Sequence, residues 1–310
     1  MLSFDVALSN VAMALLYLLP GYIICKWGKL KAEHLSGLSA LLIYGCTPCM
    51  VLDSLLKLDP DGNYLPGMGL FFVVTFAAQG LFMLLMTLFC GKKNREDNRA
   101  RMLTIASVLG NVGFFGMPII RVLIPGHPEA AAYSGVYCAS MNIFAFTVGI
   151  FNLTRDKKYI SLKSGIVNPA VLSFLVGLPL YLARAGVWMP DVLKNGFANI
   201  GAMTMPFCMM ILGARLATMP WKEIFLNGYV YLISACKLLL FPLFSYALVS
   251  LFPLDPVFKT SVLILSATPC ASVMLSLAEM HDSNQQLAAD CVLLSTLMCI
   301  VTIPVLTLLI

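Results

Sequence analysis

Ten stretches of the chain are apolar over about the length of a membrane crossing, and this pattern restricts the fold more than any other feature. A helix needs roughly 20 apolar residues to span a hydrocarbon core about 30 Å thick. The runs cover 5–26, 36–56, 67–90, 101–123, 130–153, 165–184, 196–217, 224–251, 257–279 and 287–309. Their connections are too short to hold a soluble domain. Of the 310 residues, 60% are hydrophobic and 11% charged, against roughly 25% charged in a soluble domain. No soluble fold of this size hides so much apolar surface. A cytosolic enzyme, a disordered chain and a nucleic-acid binder are excluded, and the net charge of +5 belongs to short loops. A β-barrel is excluded too, because its strands alternate apolar and polar over about ten residues. The expectation is an all-α membrane protein with ten transmembrane helices. The first run carries Asp5 and Asn10 and no basic start, unlike a cleaved signal peptide.

Loop charge sets the orientation. Lys26, Lys29 and Lys31 follow the first run, and Lys92, Lys93, Arg95, Arg99 and Arg101 the third. Arg155, Lys157, Lys158 and Lys163 follow the fifth, and Arg215 and Lys222 the seventh. The alternate loops hold only Lys57, Arg121, Arg184, Lys194 and Lys259. The basic loops face the cytoplasm, so both termini are expected outside the plasma membrane.

The two halves resemble each other weakly. The second run contains Thr47-Pro48-Cys49-Met50 and the seventh Met205-Pro206-Phe207-Cys208. The fourth contains Asn111-Val112-Gly113-Phe114-Phe115-Gly116-Met117-Pro118, and the ninth Ser266-Ala267-Thr268-Pro269-Cys270-Ala271-Ser272. Five spans is an odd number, so a second copy enters the membrane from the opposite side, as in inverted-repeat transporters. The expected division is a first five-helix repeat over 1–153, a short cytoplasmic linker over 154–164 and a second, inverted repeat over 165–310.

Pro118 and Pro269 are expected to break the fourth and ninth runs, because proline removes a backbone N–H and presses on the carbonyl a turn earlier. A helix broken in lipid survives only where protein or a water-filled cavity satisfies the freed groups. Matched breaks therefore point to a substrate site, with half-helix N-termini able to hold an anion without any basic side chain.

At these strings the sequence resembles the auxin efflux carrier (AEC) family, in its prokaryotic form, with relatives among PIN-FORMED carriers and malate and malonate permease-like proteins. Asn111 through Pro118 resembles the family's Asn-plus-seven-Pro crossover motif, and Ala267-Thr268-Pro269 through Glu279 the second crossover helix. Val167-Asn168-Pro169 resembles the start of the family's sixth helix, and Leu294-Ser295-Thr296 and Ile303-Pro304 its last helix. The resemblance implies a scaffold from runs 1, 2, 6 and 7 and a transport domain from runs 3–5 and 8–10. It also implies crossed broken helices 4 and 9, an elevator-type movement and a homodimer.

Asn111 is the leading substrate-binding candidate, since its amide donates to a carboxylate or bridges broken backbone. Gly116, Pro118, Thr268, Pro269 and Ser272 complete the expected cradle, with Ser266 beside them. Tyr137, Ser140 and Asn142 form a polar stripe in the fifth run, and Tyr137 and Asn142 join the candidates. Pro48 and Asn168, with Thr47, Asn199 and Met205, are expected on the opposing wall. Ionisable groups in spans are costly and mark function by default. Asp53, Lys237 and Glu279 are therefore candidates for proton or sodium coupling, Asp53 alternatively pairing with Lys57 four residues on.

Cys46 and Cys49 form a C-x-x-C, but inside a membrane run, and the ten cysteines follow no pattern. The three histidines never pair at ligand spacing, and no phosphate-binding G-x-x-x-x-G-K-[ST] loop occurs. No cofactor, metal or catalytic residue is expected. The function read from the sequence is a carrier of small mono- or dicarboxylates, malate- or auxin-like, in the lipid bilayer. A sodium-coupled bile-acid-type symporter is the alternative, disfavoured because no acid lies near the breaks; a membrane sensor or enzyme lacks an output domain or catalytic pair.

Overall fold

The computed structural model describes residues 4–218, 221–281 and 283–310, without the side chains of Ala32, Arg95, Trp221, Lys222 and Glu223. Arg95 and Lys222, both counted in the loop charge, thus lie outside the described side chains. The described residues are helical, with no strand. Seven helices are long and apolar enough to cross a membrane: α1 (Phe4–Lys26), α2 (Leu35–Leu56), α3 (Leu65–Cys90), α6 (Pro128–Thr154), α8 (Asp191–Thr218), α9 (Gly228–Ser250) and α12 (Gln285–Thr307). Three shorter apolar helices accompany them, α5 (Val112–Leu123), α7 (Pro169–Leu182) and α10 (Pro256–Ser266). Two more, α4 (Asn98–Ala106) and α11 (Ser272–Met280), sit next to α5 and α10 in the chain.

The fourth and ninth runs are thus each two helices. The ninth parts at 267–271, around Pro269 as expected. The fourth parts at 107–111, and this corrects the expectation that Pro118 makes the break. Pro118 is instead the second residue after a π turn, Val112–Gly116. Pro48 and Pro242 stand in the same place after the π turns Leu42–Cys46 and Cys236–Leu240. Each proline lacks the N–H that would close an ordinary turn and crowds the carbonyl four residues back, so the helix widens there instead of stopping. Thr47 compensates one such turn by donating its hydroxyl to the Leu42 carbonyl at 2.8 Å.

The packing is densest where glycines remove side chains. The second half of α1 lies on α8, where a Cβ on Gly21 would stand 1.8 Å from the Met210 carbonyl oxygen. A Cβ on Gly213 would stand 2.0 Å from that of Leu18. The helix α7 packs on α2, with Gly177 against Leu55 and Leu52. Elsewhere α3 pairs with α6, α9 with α10 and α12, α12 with α1, and α6 with α7. Large apolar side chains on the outer faces, among them Val73, Leu84 and Leu88 of α3 and Leu175 and Val176 of α7, are exposed. In water such a surface is unfavourable; against acyl chains it costs nothing.

Candidate functional site

The two breaks meet. Gly110 and Cys270 form an isolated antiparallel bridge. The Asn111 N–H donates to the Pro269 carbonyl at 2.7 Å, and the Ala271 N–H to the Leu109 carbonyl at 3.0 Å. Backbone freed by the helix ends is thereby satisfied by the other break, which is how an interrupted helix survives away from water. The Cys270 N–H is met by the Ser295 hydroxyl of α12 at 2.9 Å. Gly110 permits the approach, since a Cβ there would stand 2.5 Å from Thr268 Oγ1. Gly116 packs on the same threonine, its Cβ position 3.0 Å from Thr268 Cγ2.

At this junction α4 and α10 present their C-terminal ends, and α5 and α11 their N-terminal ends. The Asn111 carbonyl accepts from Phe115 and Gly116, closing the wide first turn of α5. The N–H groups of Gly113 and Phe114 on α5, and of Ser272 and Val273 on α11, find no backbone acceptor among the described residues. These four residues are also half-buried, while their neighbours Val112, Phe115, Ala271 and Met274 are buried. Two helix starts thus offer unpaired donors on an accessible side, each carrying partial positive charge.

Facing this side are α2 and α8. Phe114 packs with Leu42, Cys46, Phe207, Cys208 and Ile211. Asn111 is 8% exposed, and its side chain lies beside Cys208 of α8. Asn111, Gly116, Thr268, Pro269 and Ser272 are therefore brought together, as the sequence suggested, and Pro118 lies one turn into α5.

The stripe on α6 divides among three neighbours. Tyr137 is buried and pairs its hydroxyl with that of Ser266 at 3.2 Å, next to the junction. Ser140 bonds Thr75 and Gln79 of α3, both at 3.0 Å. Asn142 donates to the Cys138 carbonyl at 2.8 Å and accepts from Asn168 at 3.3 Å. Asn168 also caps α7 through the Ala170 N–H. Asn142 and Asn168 thus partner each other. On the expected opposing wall Pro48 is half-buried, Thr47 and Met205 are buried, and Asn199 is exposed on α8.

Among the ionisable candidates, Asp53 is 4% exposed and holds two cations, Lys57 at 2.9 Å and Arg121 of α5 at 3.0 Å. Arg121 also donates to the Met50 carbonyl at 3.3 Å, tying α5 to α2. Nothing in the sequence marks this partner, because Arg121 reads as a loop charge. A 290 Å³ cavity opens here, lined by Ser54, Lys57, Arg121 and His127 among others. Lys237 is fully buried on the π turn of α9, and its ammonium donates to the Ser266 carbonyl at 2.5 Å, at the end of α10. Glu279 is exposed at the end of α11 and has no ion-pair partner among the described residues.

The chain matches the family model described as "Membrane transport protein" over residues 6–161 and 153–307. An uncharacterized transporter of Methanocaldococcus jannaschii is 25% identical over 295 residues, 92% of this chain and 93% of that one. An uncharacterized transporter of Methanothermobacter thermautotrophicus is 22% identical over 300 residues, 95% of each chain. A Rhizobium meliloti protein named, provisionally, a malonate transporter is 24% identical over 214 residues, 66% of this chain and 65% of that one. The chain therefore belongs to the membrane transport protein family, the auxin efflux carrier (AEC) family whose strings its sequence carries.

Proposed function

We propose that this membrane transporter carries small organic anions, mono- or dicarboxylates, by an elevator-type alternating-access movement. The observation that carries the reading is the set of four unpaired N–H groups at the starts of α5 and α11. Helix starts bind carboxylates through such donors and their partial charge, and the Asn111 amide adds a side-chain donor. The malonate named for the Rhizobium meliloti relative is a dicarboxylate, which agrees with this chemistry.

The architecture behind the reading is ten membrane segments in two inverted five-helix repeats, 1–153 and 165–310, joined by 154–164. The seven long helices, the shorter α7 and the two broken segments, α4 with α5 and α10 with α11, make ten. Helix pairing supports it further. Exchanging the halves turns the α1–α8 pair into α7–α2, α3–α6 into α9–α12, and α1–α12 into α7–α6, and all six pairs pack. On this plan α1, α2, α7 and α8 are the scaffold. The remaining helices move against it, breaking and remaking the contact of Arg121 with Asp53. Loop charge places both termini outside the plasma membrane, and the scaffold serves as the dimer face. The test is uptake of a panel of labelled carboxylates into proteoliposomes under imposed pH, sodium and voltage gradients. Saturable, protein-dependent carboxylate flux is expected; its absence across the panel defeats the proposal.

A further inference from the structure

Lys237 lies at the negative end of α10 and beside the break that follows α4. The end of α10 offers its Ser266 carbonyl at 2.5 Å. Gly110, in the break after α4, is so near that a Cβ on it would stand 3.0 Å from Nζ and 3.1 Å from Cε. The face of Phe241 lies 5.0 Å away. No carboxylate forms an ion pair with Lys237 among the described residues. The neighbouring groups that can titrate are Tyr137, reached through Ser266, and the thiol of Cys270. A buried cation needs compensation. Here it comes from the C-terminal end of α10, its Ser266 carbonyl oxygen and the face of Phe241, and these are the features that suit a bound cation. The π turn Cys236–Leu240, widened ahead of Pro242, holds Lys237 at that place.

We propose that the Lys237 ammonium is a tethered cation filling a cation site between the end of α10 and the break after α4, so that the paired breaks need no free alkali ion. This rests on the reading of the breaks as the transport site and specifies its coupling: sodium is not a co-substrate there. In the empty cradle left by Lys237→Ala, a small alkylammonium ion takes the place of the side chain.

The experiment is thermal unfolding of the purified full chain in detergent, in matched chloride salts of sodium, potassium, lithium and N-methylglucamine, with and without methyl- to propylammonium. The wild type is expected to melt at one temperature in all of them. Lys237→Ala is expected to melt lower and to recover at least half of the loss, saturably, with alkylammonium. Lys237→Met, whose apolar stem refills the space, is expected to melt lower and not to recover. Saturable stabilisation of the wild type by sodium overturns the proposal, as does a Lys237→Ala protein that no cation stabilises. If Lys237→Ala does not fold, the wild-type salt series decides alone. Absence of carboxylate flux in wild-type proteoliposomes rejects the carrier reading instead, and leaves these melting curves interpretable as a fixed or a free cation.

Discussion

Gly110→Ala probes the contact on which the fold's centre depends. The new methyl stands 2.5 Å from Thr268 Oγ1 and 3.0 Å from Lys237 Nζ, about 1 Å inside a comfortable separation. Thr268 has little room to give. Its hydroxyl donates to the Leu265 carbonyl at 2.8 Å, and its methyl already lies against Gly116. Relief must come from parting the breaks, which lengthens the Asn111–Pro269 and Ala271–Leu109 bonds. Overpacking of this kind costs about 1–3 kcal/mol, and each weakened bond up to about 1 kcal/mol more. Replacing glycine restricts the unfolded chain and returns only about 0.4–1 kcal/mol, so destabilisation wins. Thermal unfolding in detergent, followed by Trp fluorescence, should fall by roughly 2–4 °C per kcal/mol. Adding Thr268→Ala removes the 2.5 Å contact. The pair should then recover about 1 kcal/mol relative to additivity. Gly110→Ala melting with the wild type, or strict additivity with Thr268→Ala, refutes the packing argument.

Further outcomes follow from other contacts. Gly21→Ala and Gly213→Ala drive a methyl to 1.8 Å and 2.0 Å from backbone carbonyls, which no rotamer change relieves. Each should lower the melting temperature by about 1–3 kcal/mol equivalent, whereas Gly69→Ala, with open space around it, should be neutral or stabilising by up to about 1 kcal/mol. Ser295→Ala strips the buried Cys270 N–H of its acceptor. It should cost about 1–3 kcal/mol and speed hydrogen exchange at that amide. A double-mutant cycle on Asp53 and Arg121, whose side chains are 5% and 28% exposed, should give a coupling of about 1–3 kcal/mol, between the buried and surface ranges. The cycle with Lys57, whose side chain is 57% exposed, should give under about 1 kcal/mol.

What the sequence revealed and what it hid follow from which interactions are local. The break around Pro269 was legible because the proline lies inside it. The break at 107–111 was marked only by Gly110, a weak helix former, since nothing in Ser107-Val108-Leu109 disfavours a helix; the pairing of Asn111 and Leu109 with the ninth run fixes it. Pro118 then misled, its effect being spent on a widened turn one step later. Asn111, Gly116 and Thr268, which meet at the junction, stand in local strings that the sequence shows directly. The polar stripe Tyr137, Ser140 and Asn142 was legible, but its three partners lie on three different helices. Lys237 was visible as a buried charge, while its acceptor, a backbone carbonyl 29 residues away, leaves no mark in a sequence. Arg121 was missed as the partner of Asp53 for the same reason.

The central claim is that an anion is held at the paired helix starts with the help of Asn111. It is tested most directly by exchange of labelled malonate across proteoliposomes holding equal amounts of wild type and Asn111→Ala. The Asn111 side chain neighbours Cys208, and losing a polar contact of this kind costs about 0.5–1.5 kcal/mol, so the variant should fold and melt close to the wild type. Saturable exchange by the wild type and exchange at the protein-free background for the variant are expected. Equal exchange by both proteins contradicts the claim.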